Sequence, residues 1–205
     1  MAKVKLTKGE LKRQRDSLKQ FRHYLPTLLL KKQQLQMKIL ESRKILEERE
    51  TVLREKIKDI DAWAGLLSDR SMNIKEWITP RDVLVDVINI AGANVPVFNN
   101  IHFKEAEYDL YLTPFWIDRG IKELRLMAAL LAEAMVIKQR IFILERELRI
   151  TTQRVNLFEK VKIPEGLDNI RKICIYLGDQ QANAVGVSKV AKKKIEVRDL
   201  ELVAA

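Results

Sequence analysis

Apolar residues recur every seven positions from Leu11 onward. Leu11, Leu18, Leu25, Ile39, Leu46, Leu53, Ile60 and Leu67 keep step, and Lys32 is the one polar member of the series. Companion positions fill the other half of a stripe: Phe21, Leu28 and Leu35, then Ile45, Val52, Ile57 and Ala64. A seven-residue repeat held this long gives a helix a left-handed supercoil with a partner. About 60 residues at about 1.5 Å each predict a rod of roughly 90 Å. Thr7 with Glu10 three residues on is a capping-box pattern and predicts where the helix starts. Pro26 removes one backbone hydrogen bond and predicts a local bend, at a cost of about 3 kcal/mol. Lys32 is expected to snorkel out of the seam.

The period lapses over residues 68–116. SDRSMNIKEWITPRD is polar and punctuated. VLVDVINI is β-branched and partly alternating, AGAN is a turn candidate, and VPVFNNIHF reads as a second strand. Two such runs about a Gly/Asn turn predict a hairpin, with Pro96 suited to an edge. YDLYLTPFW leads out. A second long helix is predicted from near Pro114, with Thr113 as its cap, to about Lys162. Its seam reads Met127, Leu130 or Leu131, Ala134, Ile137, Ile141, Leu144, Leu148, Thr151, Val155 and Phe158. Pro164 is expected to break or bend it. Leu167, Ile170, Cys174 and Leu177 then extend a helix to about Asn183, and a basic tail from Ala184 is either helical or frayed.

The expected organisation is therefore an N-terminal coiled-coil helix (1–67), a connecting region with a β-hairpin (68–116), a C-terminal coiled-coil helix (117–183) and a basic tail (184–205). The fold class is mainly α: a long antiparallel two-helix coiled coil with a small β-hairpin insert. Each helix can bury its stripe only on the other or on a third party.

Composition agrees. Apolar residues make up 47% and charged residues 32%, with only 7 Gly and 5 Pro, a profile of long helices with charged outer faces. The formal net charge of +10 favours acidic partners. The single cysteine, Cys174, excludes an internal disulfide framework and fits a reducing compartment. No stretch has the apolar length of a membrane span or a signal-peptide core.

Catalytic chemistry is missing. Gly92 and Gly120 are isolated, so no phosphate loop forms, and no nucleophile motif or dinucleotide fingerprint occurs. His23 and His102 are the only histidines and read as surface or interface residues. The carboxylates of ILEERE alternate with basic residues as solvated pairs. No catalytic residue, cofactor or metal is expected. Residues 1–32 hold ten Lys or Arg against two acids. Nucleic acid would ask for interleaved aromatics, and Phe21 and Tyr24 are few and helically spaced.

LTKGELKRQRDSLKQFRHYLPTLLLKKQQL resembles the N-terminal helix of the D subunit of the V/A-type (vacuolar and archaeal) ATPases, with Leu29, Leu30, Lys31, Lys32 and Leu35 in that family's LLKK run. NIAGANVPVF resembles its N-x-x-G-x-x-x-P segment at Asn89, Gly92 and Pro96. RVNLFEKVKIP resembles its R-V-N-x-x-E-x-x-x-I-P signature at Arg154, Val155, Asn156, Glu159, Ile163 and Pro164. The three matches span nearly the whole chain, in order.

The resemblance implies a non-catalytic central rotor axle. Its paired terminal helices would insert into a hexamer of catalytic and regulatory subunits (A and B). Its other end would dock, with the small F subunit, onto the membrane-ring adaptor (C/d type). The protein would be cytoplasmic and peripheral, with no nucleic acid and no direct membrane insertion. Lys12, Arg13, Arg15, Lys19, Arg22, Lys31 and Lys32 are the residues expected to meet the sleeve. The coupled ion, proton or sodium, is not readable from the chain. Two other readings compete: a prefoldin-like chaperone arm and a coiled-coil nucleic-acid binder.

Overall fold

The computed structural model describes residues 4–68, 74–109, 111 and 113–203, and for 67–68 and 199–203 it describes the backbone alone. Helix α1 runs Lys8–Asp61 and is followed by a 3-10 turn, Ala64–Ser68, and a short α2, Lys75–Ile78. Strands β1 (Pro80–Ile90) and β2 (Ala93–Phe103) form the hairpin. Helix α3 (Ile117–Asn156) passes through a π-helical turn, Leu157–Lys162, into α4 (Ile163–Val203). The fold is mainly α, with a two-stranded antiparallel sheet between long helices. The SDRSM segment lies largely outside the described residues, as do two positions of YDLYLTPFW.

The chain forms two compact units, Leu30–Thr152 and Met1–Leu29 with Gln153–Ala205. In the first, α1 and α3 run antiparallel. Lys31 pairs with Glu147, Arg43 with Glu145, Glu50 with Lys138 and Lys56 with Glu123. Within the second, Leu18 packs at Gly166, and the Phe21 and Phe158 rings stand 5.1 Å apart.

The heptad holds. Leu18, Ile39 and Ile60 are buried, and Leu11, Leu25, Lys32, Leu46 and Leu53 half-buried. Its companion row needs a correction. The expected Ile45 and Ala64 are half-buried, but Val52 and Ile57 are exposed; counted in sevens from Leu35, Ser42 is buried, Arg49 is exposed and Lys56 is half-buried. The Ser42 hydroxyl donates to the Lys38 carbonyl at 2.7 Å, so a polar residue sits in the seam without an orphaned group. At the start of α1, Thr7 Oγ1 accepts from the Glu10 N–H, but the Glu10 carboxylate turns to Gln14, so only half the box closes. α1 stays helical through Pro26.

From α3 into the π turn the seam follows the expected positions, with Leu130 half-buried and Leu131 exposed. The helix starts at Ile117 rather than near Pro114. Thr113 stands four residues before that start, too far back to cap it, and its hydroxyl donates to the Asp109 carbonyl, while the Ile117 N–H reaches the Pro114 carbonyl. Gly120 is where the Trp116 ring lies close, and a Cβ there would stand 3.1 Å from it.

Pro164 does not end the helix. It lacks an N–H, and its ring would crowd the carbonyl four residues back in an α-turn. The backbone widens instead, and the Ile163 N–H reaches the Phe158 carbonyl, five residues back. The widened turn holds one extra residue, which shifts everything after it. Continued at α-helical spacing from Val155 and Phe158, the seam would reach Lys162, Glu165, Asn169, Lys172 and Tyr176. The seam instead takes Ile163, Gly166, Ile170, Ile173 and Leu177, each one position later. Gly166 is buried and Ile173 fully so, while the expected Leu167 and Cys174 are exposed. Of the two forms open to the tail from Ala184, the helical one is taken, and α4 runs through residue 203.

The hairpin turns on Ala91 and Gly92, both at positive φ (50° and 81°), the two-residue geometry that matches strand twist. The Asn89 amide oxygen accepts the Gly92 N–H, and its Nδ2 donates to Asn94. Ala93 and Val95 enter a core with Leu35, Ile39 and Leu144. Hydrophobic burial along this core and the seam is the main stabilising contribution.

Candidate functional site

The described residues hold no cluster of His, Cys, Asp and Glu fit for a metal ion. No helix among them is long and apolar enough to cross a membrane. The candidate functional features are faces on the long helices and the hairpin.

The basic residues singled out from the sequence separate into two groups. Lys12, Arg13, Arg15, Lys19 and Arg22 are exposed on the first turns of α1. Arg13 reaches Glu10 only at 4.0 Å, and Arg15 Nη2 stands 3.9 Å from Cys174 Sγ. Among the described residues, no carboxylate lies within ion-pair distance of Lys12, Lys19 or Arg22. Their charges are available to another molecule. Lys31 and Lys32 are half-buried instead. Lys31 Nζ lies 3.9 Å from Glu147 and beside Gly92 at the hairpin turn, so its charge is engaged within the chain.

The signature residues fall into two structural devices. Asn89 and Gly92 build the hairpin turn, and Pro96 lies opposite Val87 in β2. Val155 is buried in the seam, whereas Arg154, Asn156, Glu159 and Pro164 are exposed around the π turn. The first device sets a loop and the second sets a helix register.

Surface carboxylates are tuned by their partners. Lys138 bonds Glu50 at 2.8 Å and, by that bond and its charge, holds the carboxyl below its ordinary 4.5. Lys38 does the same for Glu41. The Tyr108 hydroxyl donates to Asp118, and that bond to a carboxylate raises the phenol above 10.0.

Arg125 joins these as a residue that sequence reasoning misses. Its Nε donates to the Trp77 carbonyl and its Nη2 to the Lys104 carbonyl, while the guanidinium lies 5.4 Å over the Phe103 ring. One side chain on α3 thus clasps both ends of the hairpin segment. An arginine two residues before Met127, at the edge of the seam, carries no distinctive signal in sequence.

The described residues form long helices with a clasped hairpin and with cations on exposed faces. Comparison with known proteins gives the family. The family model for the ATP synthase D subunit matches residues 10–193. The chain is 46% identical over 198 residues to the V-type ATP synthase D subunit of Borreliella burgdorferi, covering 95% of this chain and 96% of that protein. It is 36% identical over 197 residues to the V-type ATP synthase D subunit of Chlamydia pneumoniae, covering 95% and 94%. The chain belongs to the ATP synthase D-subunit family.

Proposed function

We propose that this chain is the central-stalk, or rotor-axle, subunit of a V/A-type ATP synthase. It carries no chemistry of its own. It couples ATP synthesis or hydrolysis in a hexamer of A and B subunits to proton or sodium transport, by turning. The F subunit and a C/d-type adaptor above the membrane ring are its other partners, and it sits peripherally on the cytoplasmic side. The observation that carries this reading is the 46% identity over nearly the whole of both chains to a V-type ATP synthase D subunit.

The geometry supports it. A shaft needs stiffness, and a seam of interlocked side chains supplies it. A shaft must also not stick at one angle. Exposed Lys12, Arg13, Arg15, Lys19 and Arg22 make screened contacts, weak one by one, where an apolar patch would hold fast.

Purification of the tagged chain from native membranes, followed by mass spectrometry, tests the reading. Recovery with A, B and F subunits supports it. Recovery as a free-standing hexamer would favour the prefoldin-like chaperone arm.

A further inference from the structure

Strand β1 is apolar and exposed along most of its length: Val83, Leu84, Val85, Val87 and Ile88 are each at least 40% accessible. Its partner β2 is the strand packed into the core, through Ala93 and Val95. The two outer edges of the hairpin differ as well. Counting from the turn, Ile90 and Ala93 form the closing hydrogen-bonded pair, so pairs alternate outward from there. Val87 with Pro96 and Val85 with Phe98 are non-hydrogen-bonded pairs, whose backbone groups point away from the hairpin.

On β2 that edge is blocked. Pro96 has no N–H to offer, the register slips at Asn99, and the Asn100 side chain takes the Ile101 N–H. On β1 it is open. The N–H and C=O groups of Val85 and Val87 face outward, no proline or lysine guards them, and among the described residues no strand pairs there. Natural proteins defend edges they do not use.

We infer that the open edge of β1 receives an edge strand from another subunit of the assembly, extending the hairpin to three strands. The inference rests on the rotor-axle reading. Charge describes that strand further. β1 carries Asp82 and Asp86 against Arg81 in a chain of net charge +10, so the incoming strand is apolar at alternate positions and basic between them. A second copy of this chain is disfavoured: pairing Val85 with Val87 of the copy sets Asp86 against Asp86.

The test is amide hydrogen exchange on the full chain, free and within the ATP synthase assembly purified from native membranes. The Val85 and Val87 amides are expected to slow at least tenfold on assembly. Unchanged exchange in an intact assembly overturns this inference and leaves the rotor-axle reading standing. Failure to recover the chain with that assembly overturns both. Concentration-dependent slowing in the free chain overturns it in favour of self-pairing. Two variants separate a strand from a helix seated on the same valines. Val87→Pro removes the outward N–H without touching the β1–β2 ladder, and Val87→Thr keeps it. Retention in the assembly should fall about tenfold for V87P and little for V87T. Equal losses in both would overturn strand pairing. Should V87P fail to fold, the exchange result on the natural chain decides alone.

Discussion

Arg125 donates from Nε to the Trp77 carbonyl at 2.9 Å, joining α3 to the end of α2 just before the hairpin begins. Its second bond reaches the Lys104 carbonyl just after the hairpin ends. Truncation leaves two carbonyls without their charged donor and uncovers Phe103. Arg125→Ala should cost about 1–3 kcal/mol, and amide exchange should speed in β1 and β2 before it does in α1. Uniform acceleration along the chain would show that the clasp is not local.

Leu144 is fully buried between α1 and the hairpin. Leu144→Ala should destabilise by about 2–5 kcal/mol. Leu131→Ala on the same helix, with its side chain partly in solvent, should cost well under half of that. Chemical denaturation of both variants measures the contrast.

The π turn makes a sharper claim. Ile173→Ala should cost about 2–4 kcal/mol, while Cys174→Ala, one residue on and exposed, should be near neutral. In a Pro164→Ala background, which removes the ring that bars an α-turn there, deletion of Val161 should convert the π turn to α while leaving Gly166, Ile170 and Ile173 in the seam. Deletion of Arg149, before the turn, has no such outlet and should lower Tm far more. Equal losses for the two deletions would refute the register shift.

Glu50 reports on the pairing of α1 with α3. Its folded pKa is lowered by Lys138, so its contribution is present above the ordinary 4.5 and fades as pH falls from there through the lowered value. Carboxyl titration by NMR should show Glu50 returning to the ordinary range in Lys138→Met. No return would mean that the pair does not persist in solution.

Reversing Lys12, Lys19 and Arg22 to Glu should lower coupled turnover of the assembled ATPase more than it lowers the melting temperature of the free chain. These three cations have no acidic partner among the described residues, so folding loses little when they go. Full turnover in the triple variant would remove them from the coupling path.

Much of the fold was legible because a heptad is a local property. Residues seven apart share a helix face whatever the partner, and two such faces with a Gly-containing turn between them leave few ways to bury both. The same logic exposed the basic first turns, since charge on a helix surface needs no tertiary information. Several positions were not legible. Ser42 in the seam reads as a surface residue until its hydroxyl is seen on the Lys38 carbonyl. Thr113 reads as a cap until α3 is seen to begin four residues later, at Ile117.

By itself, then, the sequence determined the heptad of α1 through Ile60, the second seam as far as Phe158, the hairpin with its turn in AGAN, and the family signature, because period, turn chemistry and motif are carried by near neighbours. Tertiary structure alone decided which residue follows Phe158 into the seam, which edge of the hairpin stays open, and that Arg125 clasps its base. Each of those depends on groups distant in the chain or on a backbone choice between α and π winding. A proline narrows that choice, and the burial of Gly166 and Ile173 settles it.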